Sequence, residues 1–289
     1  MMERRQHRIS AKDGLRLFCR DYGDPLAGRA PLVCLAGLAR NSKDFEPLAE
    51  RLSHSRRVVA LDYRGRGRSQ YDTDKRHYRP EIYLDDALQV MAALGLHHAV
   101  LCGTSFGGLL TMVLAVARPS VIAGAILNDI GPELDLATTN RVRDLLLSAR
   151  PQPDWQTAAQ ALRQALPTLN LETEEKWLRF ARATYHQAAD GLLHPDWDRR
   201  AIEAVPDDPG QVQDLWPYFR ALGPFPTLAI RGELSEFLTS EIVERMVDAK
   251  PDLRVAVVAN RGHAPILDEP EAVSVIDDFI SEIDRRADY

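Results

Sequence analysis

A serine stands where a predicted strand meets a predicted helix, in the segment G-T-S-F-G at residues 103–107. An apolar run ends at Cys102, and a helical pattern begins at Phe106. A G-x-S-x-G sequence in this context places the serine on a sharp turn that lifts its hydroxyl above the sheet. The flanking glycines let the strand and helix backbones approach closely. We therefore predict that Ser105 is a nucleophile rather than an ordinary helix-capping serine.

A serine hydroxyl is a weak nucleophile without a base, and His263 is placed to be that base. It follows the last predicted strand directly, in the segment A-N-R-G-H-A-P at residues 259–265. Loops at the carboxyl ends of parallel strands share one rim of the sheet, so we expect His263 and Ser105 on the same rim. Other histidines lack this placement, since His97 and His98 precede a strand.

Three carboxylates are candidates for the acid that would orient His263. Glu233 and Glu236 follow the strand predicted at 227–231, and Asp129 follows the strand that ends near Asn128. All three lie between Ser105 and His263 in the chain. Each could also be an ordinary loop residue, and the spacing alone leaves the choice among them open.

The elements that must position these residues alternate between strand and helix. Apolar runs predict strands at 15–20, 31–36, 57–61, 99–102, 121–127, 227–231 and 253–258, and apolar periodicity predicts helices at 44–52, 82–94, 106–117 and 271–283. Between Glu133 and Leu222 only helical patterns occur, with Asp154 and Thr173 as predicted N-caps. The rhythm indicates an α/β fold, a doubly wound, mostly parallel sheet over residues 1–132 and 223–289 with an inserted helical cap over 133–222.

Composition excludes several other classes of protein. The 289 residues are 45% hydrophobic, enough for a sizeable core, and the net charge of −6 argues against a nucleic-acid partner. The three cysteines are widely spaced, as expected in a reducing cytoplasm. We expect no signal peptide and no membrane span, because no apolar run approaches the ~20 residues that a span needs.

The sequence resembles the α/β-hydrolase fold superfamily over nearly its whole length. The resemblance rests on the serine segment, A-G-L at 36–38, D-Y-R-G-R-G-R-S at 62–69, R-G-E at 231–233 and the pair Gly262-His263. It implies a serine hydrolase with a helical cap and a Ser-His-acid triad. The family form R-G-x-x-S-D is similar to R-G-E-L-S-E here and maps the acid onto Glu236, with Asp129 as the alternative.

The resemblance also implies an oxyanion hole made of two backbone N–H groups. These would be Phe106, directly after the nucleophile, and Leu38, directly after Gly37. The arginines at 64, 66 and 68 would then belong to a structural turn rather than to a phosphate-binding patch. We predict no cofactor and no metal, because the chain has neither a nucleotide-binding glycine motif nor metal-ligand spacing.

The predicted activity is hydrolysis of a small, largely apolar ester or lactone through an acyl-enzyme intermediate. An alternative is a carbon–carbon bond hydrolase of aromatic ring-fission products. Against it, residues 36–41 read A-G-L-A-R-N rather than a glycine-rich His-Gly loop, and Thr104 stands where an asparagine is usual. A further alternative is a ligand receptor on the same fold that turns over slowly.

Overall fold

The protein is described here by a computed structural model that covers residues 4–205 and 213–287. Residues 1–3 and 288–289 of the predicted core, and 206–212 of the predicted cap, lie outside the described residues. The strands of the described part are, in chain order, β1 (Arg4–Ser10), β2 (Arg16–Tyr22), β3 (Leu32–Leu35), β4 (Val58–Asp62), β5 (Ala99–Thr104), β6 (Ile122–Asn128), β7 (Glu133–Leu134), β8 (Tyr185–Gln187), β9 (Leu193–Pro195), β10 (Gln213–Asp214), β11 (Thr227–Gly232) and β12 (Arg254–Val258).

The α-helices connect and cover these strands. They are α1 (Glu46–Leu52), α2 (Pro80–Ala93), α3 (Phe106–Ala117), α4 (Leu136–Ser148), α5 (Trp155–Ala165), α6 (Glu174–Thr184), α7 (Arg199–Glu203), α8 (Trp216–Arg220), α9 (Ser240–Ala249) and α10 (Pro270–Ala287). Short 3₁₀ turns lie at Ser42–Phe45, Lys75–His77 and Pro119–Val121. No helix among the described residues is both long enough and apolar enough to cross a bilayer.

One eight-stranded sheet forms the centre of the molecule, in the order β1-β2-β4-β3-β5-β6-β11-β12. Strand β2 is antiparallel to both of its neighbours, and every pairing from β4 to β12 is parallel. Strands β3, β4 and β6 are buried along their whole length. Their unbroken apolar runs are typical of a parallel sheet covered on both faces, which confirms the predicted fold class.

Strand β1 was not predicted from the sequence. Its residues, R-R-Q-H-R-I-S, alternate between exposed and partly buried positions at the edge of the sheet. The strand is held by antiparallel pairing to β2 rather than by an apolar face of its own. A charged edge of this kind also discourages pairing with another chain.

The segment between β6 and β11 is helical as predicted, but it also contains four short strands. β7 pairs with β10, and β8 pairs with β9. The predicted N-caps are confirmed: the Asp154 side chain accepts from the Thr157 N–H at 2.8 Å, and Thr173 Oγ1 accepts from the Lys176 N–H at 3.2 Å. Buried residues around Trp177 form a separate small apolar core within this segment.

Candidate active site

Ser105 lies on the turn between β5 and α3 in a strained conformation. Its φ is 52° and its ψ is −116°, which an L-residue rarely adopts. The glycines of the segment are sterically required. A Cβ on Gly103 would lie 2.3 Å from the Gly107 carbonyl oxygen, and one on Gly107 would lie 2.0 Å from that of Leu35. The close packing of β5, α3 and β3 therefore forces the serine outward at the rim of the sheet.

His263 follows β12 and lies between two oxygen atoms. Its Nε2 is 2.8 Å from Ser105 Oγ, and its Nδ1 is 2.8 Å from Asp129 Oδ2. An ionised carboxylate can only accept a hydrogen bond, so Nδ1 carries the ring proton of the neutral imidazole. Nε2 is then the acceptor for the Ser105 hydroxyl. This arrangement can remove a proton from a serine that attacks a carbonyl group.

Asp129 is the first residue after β6 and is completely buried. Its φ of 57° turns the chain sharply, and its N–H donates to the Ile230 carbonyl at 2.7 Å. The carboxylate is held on both sides, because the Gly232 N–H donates to Oδ1 at 2.8 Å while Oδ2 faces the histidine. Neighbouring strand ends thus fix this acid in one orientation.

The expected contact between Glu236 and His263 is wrong, because Asp129 occupies that position beside the histidine. Glu236 lies four residues beyond the end of β11, and its side chain is 68% exposed in an ion pair with Arg141 at 2.8 Å. The next residue, Phe237, stacks on the His263 ring with the centroids 4.1 Å apart. Glu233 is also turned elsewhere and accepts the Asn260 N–H at 2.7 Å.

The two residues predicted to form the oxyanion hole flank the serine. Phe106 is the first residue of α3, where backbone N–H groups have no partner within the helix. Leu38 follows Gly37, whose added Cβ would lie 3.8 Å from the Ser105 Cβ. Leu38, Ser105 and His263 line one cavity. The Leu38 segment therefore borders the same cavity as the serine, and Phe106 directly follows the serine in the chain.

That cavity has a volume of about 990 Å³ and lies between the sheet and the inserted segment. Leu146, Phe180 and Trp197 of the insertion line it together with Phe237 of the core. The described lining residues include seven lysines and arginines but four aspartates and glutamates. Most of these cations are already paired: Arg40 and Arg141 with the lining acids Asp44 and Glu236, and Lys43, Lys176 and Arg179 with Asp196 and Asp268, which are not lining residues. The two lining arginines without a carboxylate partner among the described residues are Arg150 and Arg182.

The turn at residues 62–69 has the structural character expected from the sequence. Arg64 is buried and bonds to Asp86 through Nε at 2.6 Å and Nη2 at 2.8 Å. Asp62 is also buried, and burial raises its pKa to about 6 although it accepts two backbone N–H groups, from Ser42 and Arg68. These groups stabilise the turn rather than presenting a basic surface.

Sequence reasoning missed the role of Phe237 and the identity of the aromatic residues at the cavity. Trp177 is buried inside the insertion, where its Nε1 donates to the Leu171 carbonyl at 3.1 Å. Trp197, by contrast, reaches the cavity wall. No periodic pattern distinguishes the two tryptophans, since the difference arises from how the insertion folds back on the sheet.

Comparison with known proteins agrees with this architecture. The model of the alpha/beta hydrolase fold family matches residues 30–270. The chain therefore belongs to the α/β-hydrolase fold family, and it is a hydrolase by family and by the names of its relatives.

Two relatives named as hydrolases match most of the chain. A 3-hydroxybutyrate-oligomer hydrolase of Cupriavidus necator is 30% identical over 275 residues, which is 92% of this chain and 93% of that protein. A 2-(acetamidomethylene)succinate hydrolase of Mesorhizobium japonicum is 27% identical over 239 residues, 82% of each chain.

Among solved structures, an alpha/beta hydrolase from Novosphingobium aromaticivorans superposes with a TM-score of 0.90. It is 38% identical, and the alignment covers 97% of this chain and 99% of that one. The similarity thus extends through the inserted segment as well as the sheet.

Proposed function

We propose that the protein is a serine ester hydrolase whose triad consists of Ser105, His263 and Asp129. The observation that carries this proposal is the continuous line of two 2.8 Å hydrogen bonds from the serine to the buried carboxylate. Asp129 replaces Glu236 in this role because Glu236 is exposed and paired with Arg141.

In the proposed reaction, Ser105 Oγ attacks the ester carbonyl carbon while His263 Nε2 takes the hydroxyl proton. Asp129 stabilises the imidazolium that forms, and the N–H groups of Leu38 and Phe106 stabilise the negative oxygen of the tetrahedral intermediate. The intermediate collapses to the acyl-enzyme, and His263 gives its proton to the departing alcohol. A water molecule, activated by the same histidine, then releases the acid and restores the serine.

We infer further that the preferred ester bears a carboxylate away from the bond that is cleaved. Two arginines of the cavity lining, Arg150 and Arg182, support this inference, because neither pairs with a carboxylate among the described residues and a guanidinium is a strong hydrogen-bond donor to a carboxylate. The relative named for 3-hydroxybutyrate oligomers supports it too, since such an oligomer combines ester bonds, apolar methyl groups and one terminal carboxylate.

A serine-directed fluorophosphonate probe tests the proposed nucleophile. We expect stoichiometric labelling of the peptide containing Ser105, no labelling of Ser105→Ala, and loss of ester turnover by on the order of 10⁴-fold or more in that variant. Near-normal turnover by Ser105→Ala, measured free of wild-type enzyme, would contradict the mechanism.

A pair of matched substrates tests the carboxylate. The 3-hydroxybutyrate dimer and its methyl ester differ at the terminal acid, which one molecule keeps and the other masks. We expect kcat/KM at the internal ester bond to be about tenfold higher for the free acid, equivalent to about 1.4 kcal/mol. Equal values would refute the carboxylate preference but leave the triad proposal intact.

A further inference from the structure

Arg66 is a buried cation, and no acidic side chain in the described part of the chain pairs with it. Its side chain is 0% exposed, and no carboxylate in the described parts of the chain lies within ion-pair distance of it. Burying a guanidinium costs several kcal/mol unless opposite charge and hydrogen bonds compensate. Arg64, two residues earlier in the same turn, shows the usual compensation through its paired bonds to Asp86. The burial of Arg66 therefore needs a different explanation.

Arg66 makes three hydrogen bonds, of which one stays within its own turn, from Nη1 to the Arg64 carbonyl at 3.1 Å, and two reach other segments. Its Nε donates to the Leu38 carbonyl oxygen at 2.6 Å, and its Nη1 donates to Tyr83 Oη at 2.9 Å. The guanidinium carbon lies 5.3 Å from the centre of the Tyr83 ring. Nη2 is buried and has no hydrogen-bond partner among the described residues. The planar fork of an arginine can bridge two such acceptors at once.

The first of these contacts holds the Leu38 segment. The Leu38 N–H shares its rigid peptide plane with the Gly37 carbonyl, which accepts the Arg40 N–H at 3.1 Å. Arg66 holds the next peptide plane at the Leu38 carbonyl, so both planes that meet at the Leu38 Cα are fixed. The second contact reaches Phe106 indirectly, because the Tyr83 ring meets the Phe106 ring edge to face with the centroids 5.4 Å apart. Arg66 thus contacts the Leu38 backbone directly and the Phe106 side chain through the Tyr83 ring.

We propose that Arg66 is a positioning residue for the oxyanion hole, and this proposal rests on the serine-hydrolase function proposed above. It aligns the Leu38 and Phe106 segments before the substrate arrives. Its positive charge, which no carboxylate among the described residues pairs with, also adds positive potential beside the Leu38 segment. Both effects are larger in the transition state than in the ground state, so they act on kcat rather than on KM.

The test compares Arg66→Met with Arg68→Met, a change in the same turn at an exposed arginine whose Nη1 bonds to Gln6. For each variant, ester kinetics are measured together with the affinity for an alkylboronic acid, which mimics the tetrahedral oxyanion, and for the carboxylate product. We expect Arg66→Met to lower kcat and boronate affinity by about 10- to 100-fold, with KM and product affinity within about threefold of wild type. Arg68→Met should match wild type, and Arg66→Lys should fall between Arg66→Met and wild type.

Unchanged kcat in Arg66→Met overturns the proposal, as does an equal loss of affinity for boronate and product, which would indicate general disruption of the site. If Arg66→Met does not fold, Tyr83→Phe decides. It removes one acceptor of Arg66 but keeps the ring against Phe106, and unchanged kcat and boronate affinity in that variant overturn the proposal. Failure of the proposed function itself is distinguishable, because the wild-type protein would then neither hydrolyse esters nor be labelled at Ser105.

Discussion

Two loops leave neighbouring strands at the same rim of the sheet. One buries its acidic residue and the other exposes it to solvent. After β6, Asp129 turns back at once and is buried, with a backbone N–H on one oxygen and His263 at the other. After β11, the chain continues outward for four residues, and Glu236 ends in an exposed ion pair. The acid that contacts the histidine is therefore the one whose backbone is fixed by the adjacent strand.

The difference follows from the hydrogen bonds that each acidic residue makes. The Asp129 N–H and carboxylate are both tied to β11, through the Ile230 carbonyl and the Gly232 N–H. Because both the backbone and the carboxylate of Asp129 are already fixed, the side chain loses little conformational entropy when it orients the histidine. An exposed pair such as Arg141 and Glu236 is screened by water and contributes about 0–1 kcal/mol to stability.

The largest expected effect is that of Asp129→Asn. The amide keeps the shape of the carboxylate but cannot stabilise the imidazolium, and its NH₂ group can favour the wrong histidine tautomer. We expect kcat to fall by about 10⁴-fold while the fold is retained. Steady-state ester hydrolysis and a thermal melt measure both outcomes. A loss smaller than about tenfold would mean that the orienting acid lies elsewhere.

The same two loops show which parts of the site can be predicted from the sequence and which cannot. Ser105 and His263 could be predicted to lie together because their signals are local, a glycine-flanked turn after an apolar run and a histidine directly after the last strand. The choice between Asp129 and Glu236 depends on where each strand stops and how each loop turns. The positive φ of Asp129 carries no distinct sequence signal. The family form favours Glu236, with Asp129 as the alternative.

The fold was predictable for a related reason. Fully buried strands such as β4 and β6 produce unbroken apolar runs. Strand β1 and the two-residue strands β7 and β10 have no such runs, because they are set by pairing with another segment. Strands that form only by pairing with a segment distant in sequence cannot be predicted from local patterns.

The next largest effect is expected from Gly232→Ala, which disturbs the junction between the two loops. A Cβ at this position would lie 2.5 Å from the Arg261 carbonyl oxygen and 2.7 Å from that of Gly262, just before His263. Backbone atoms cannot yield as a flexible side chain does. We expect a lower melting temperature and a loss of about 100-fold in kcat, as expected for a misplacement of about 1 Å at the histidine. Wild-type kcat in a folded Gly232→Ala would show that the junction tolerates displacement.

Phe237→Ala is expected to have a moderate effect. The ring covers one face of His263, and its removal admits water beside the imidazole and loosens the imidazole's orientation. We expect kcat/KM to fall about tenfold, with Phe237→Leu recovering part of the loss because it restores apolar cover without the stacked ring. The two variants should be compared on one short ester. If alanine and wild type are equal, the stacking has no role in holding the histidine.

The smallest effect is expected from Glu236→Gln. This change most directly distinguishes the role of Glu236 from that of Asp129. The substitution removes the charge that pairs with Arg141 at the cavity wall but leaves the packing of Phe237 and the bonds of Asp129 in place. For a neutral ester, kcat should stay within about twofold of wild type, and stability should change by less than about 1 kcal/mol. For an ester with a terminal carboxylate, releasing Arg141 should leave kcat unchanged and lower KM modestly, because the cavity gains net positive charge. Steady-state kinetics on the methyl ester of the 3-hydroxybutyrate dimer measure kcat for a neutral ester, and those on the free dimer measure KM for an ester with a carboxylate. A collapse of kcat comparable to that of Asp129→Asn would return the orienting role to Glu236 and remove the distinction between the buried and the exposed loop.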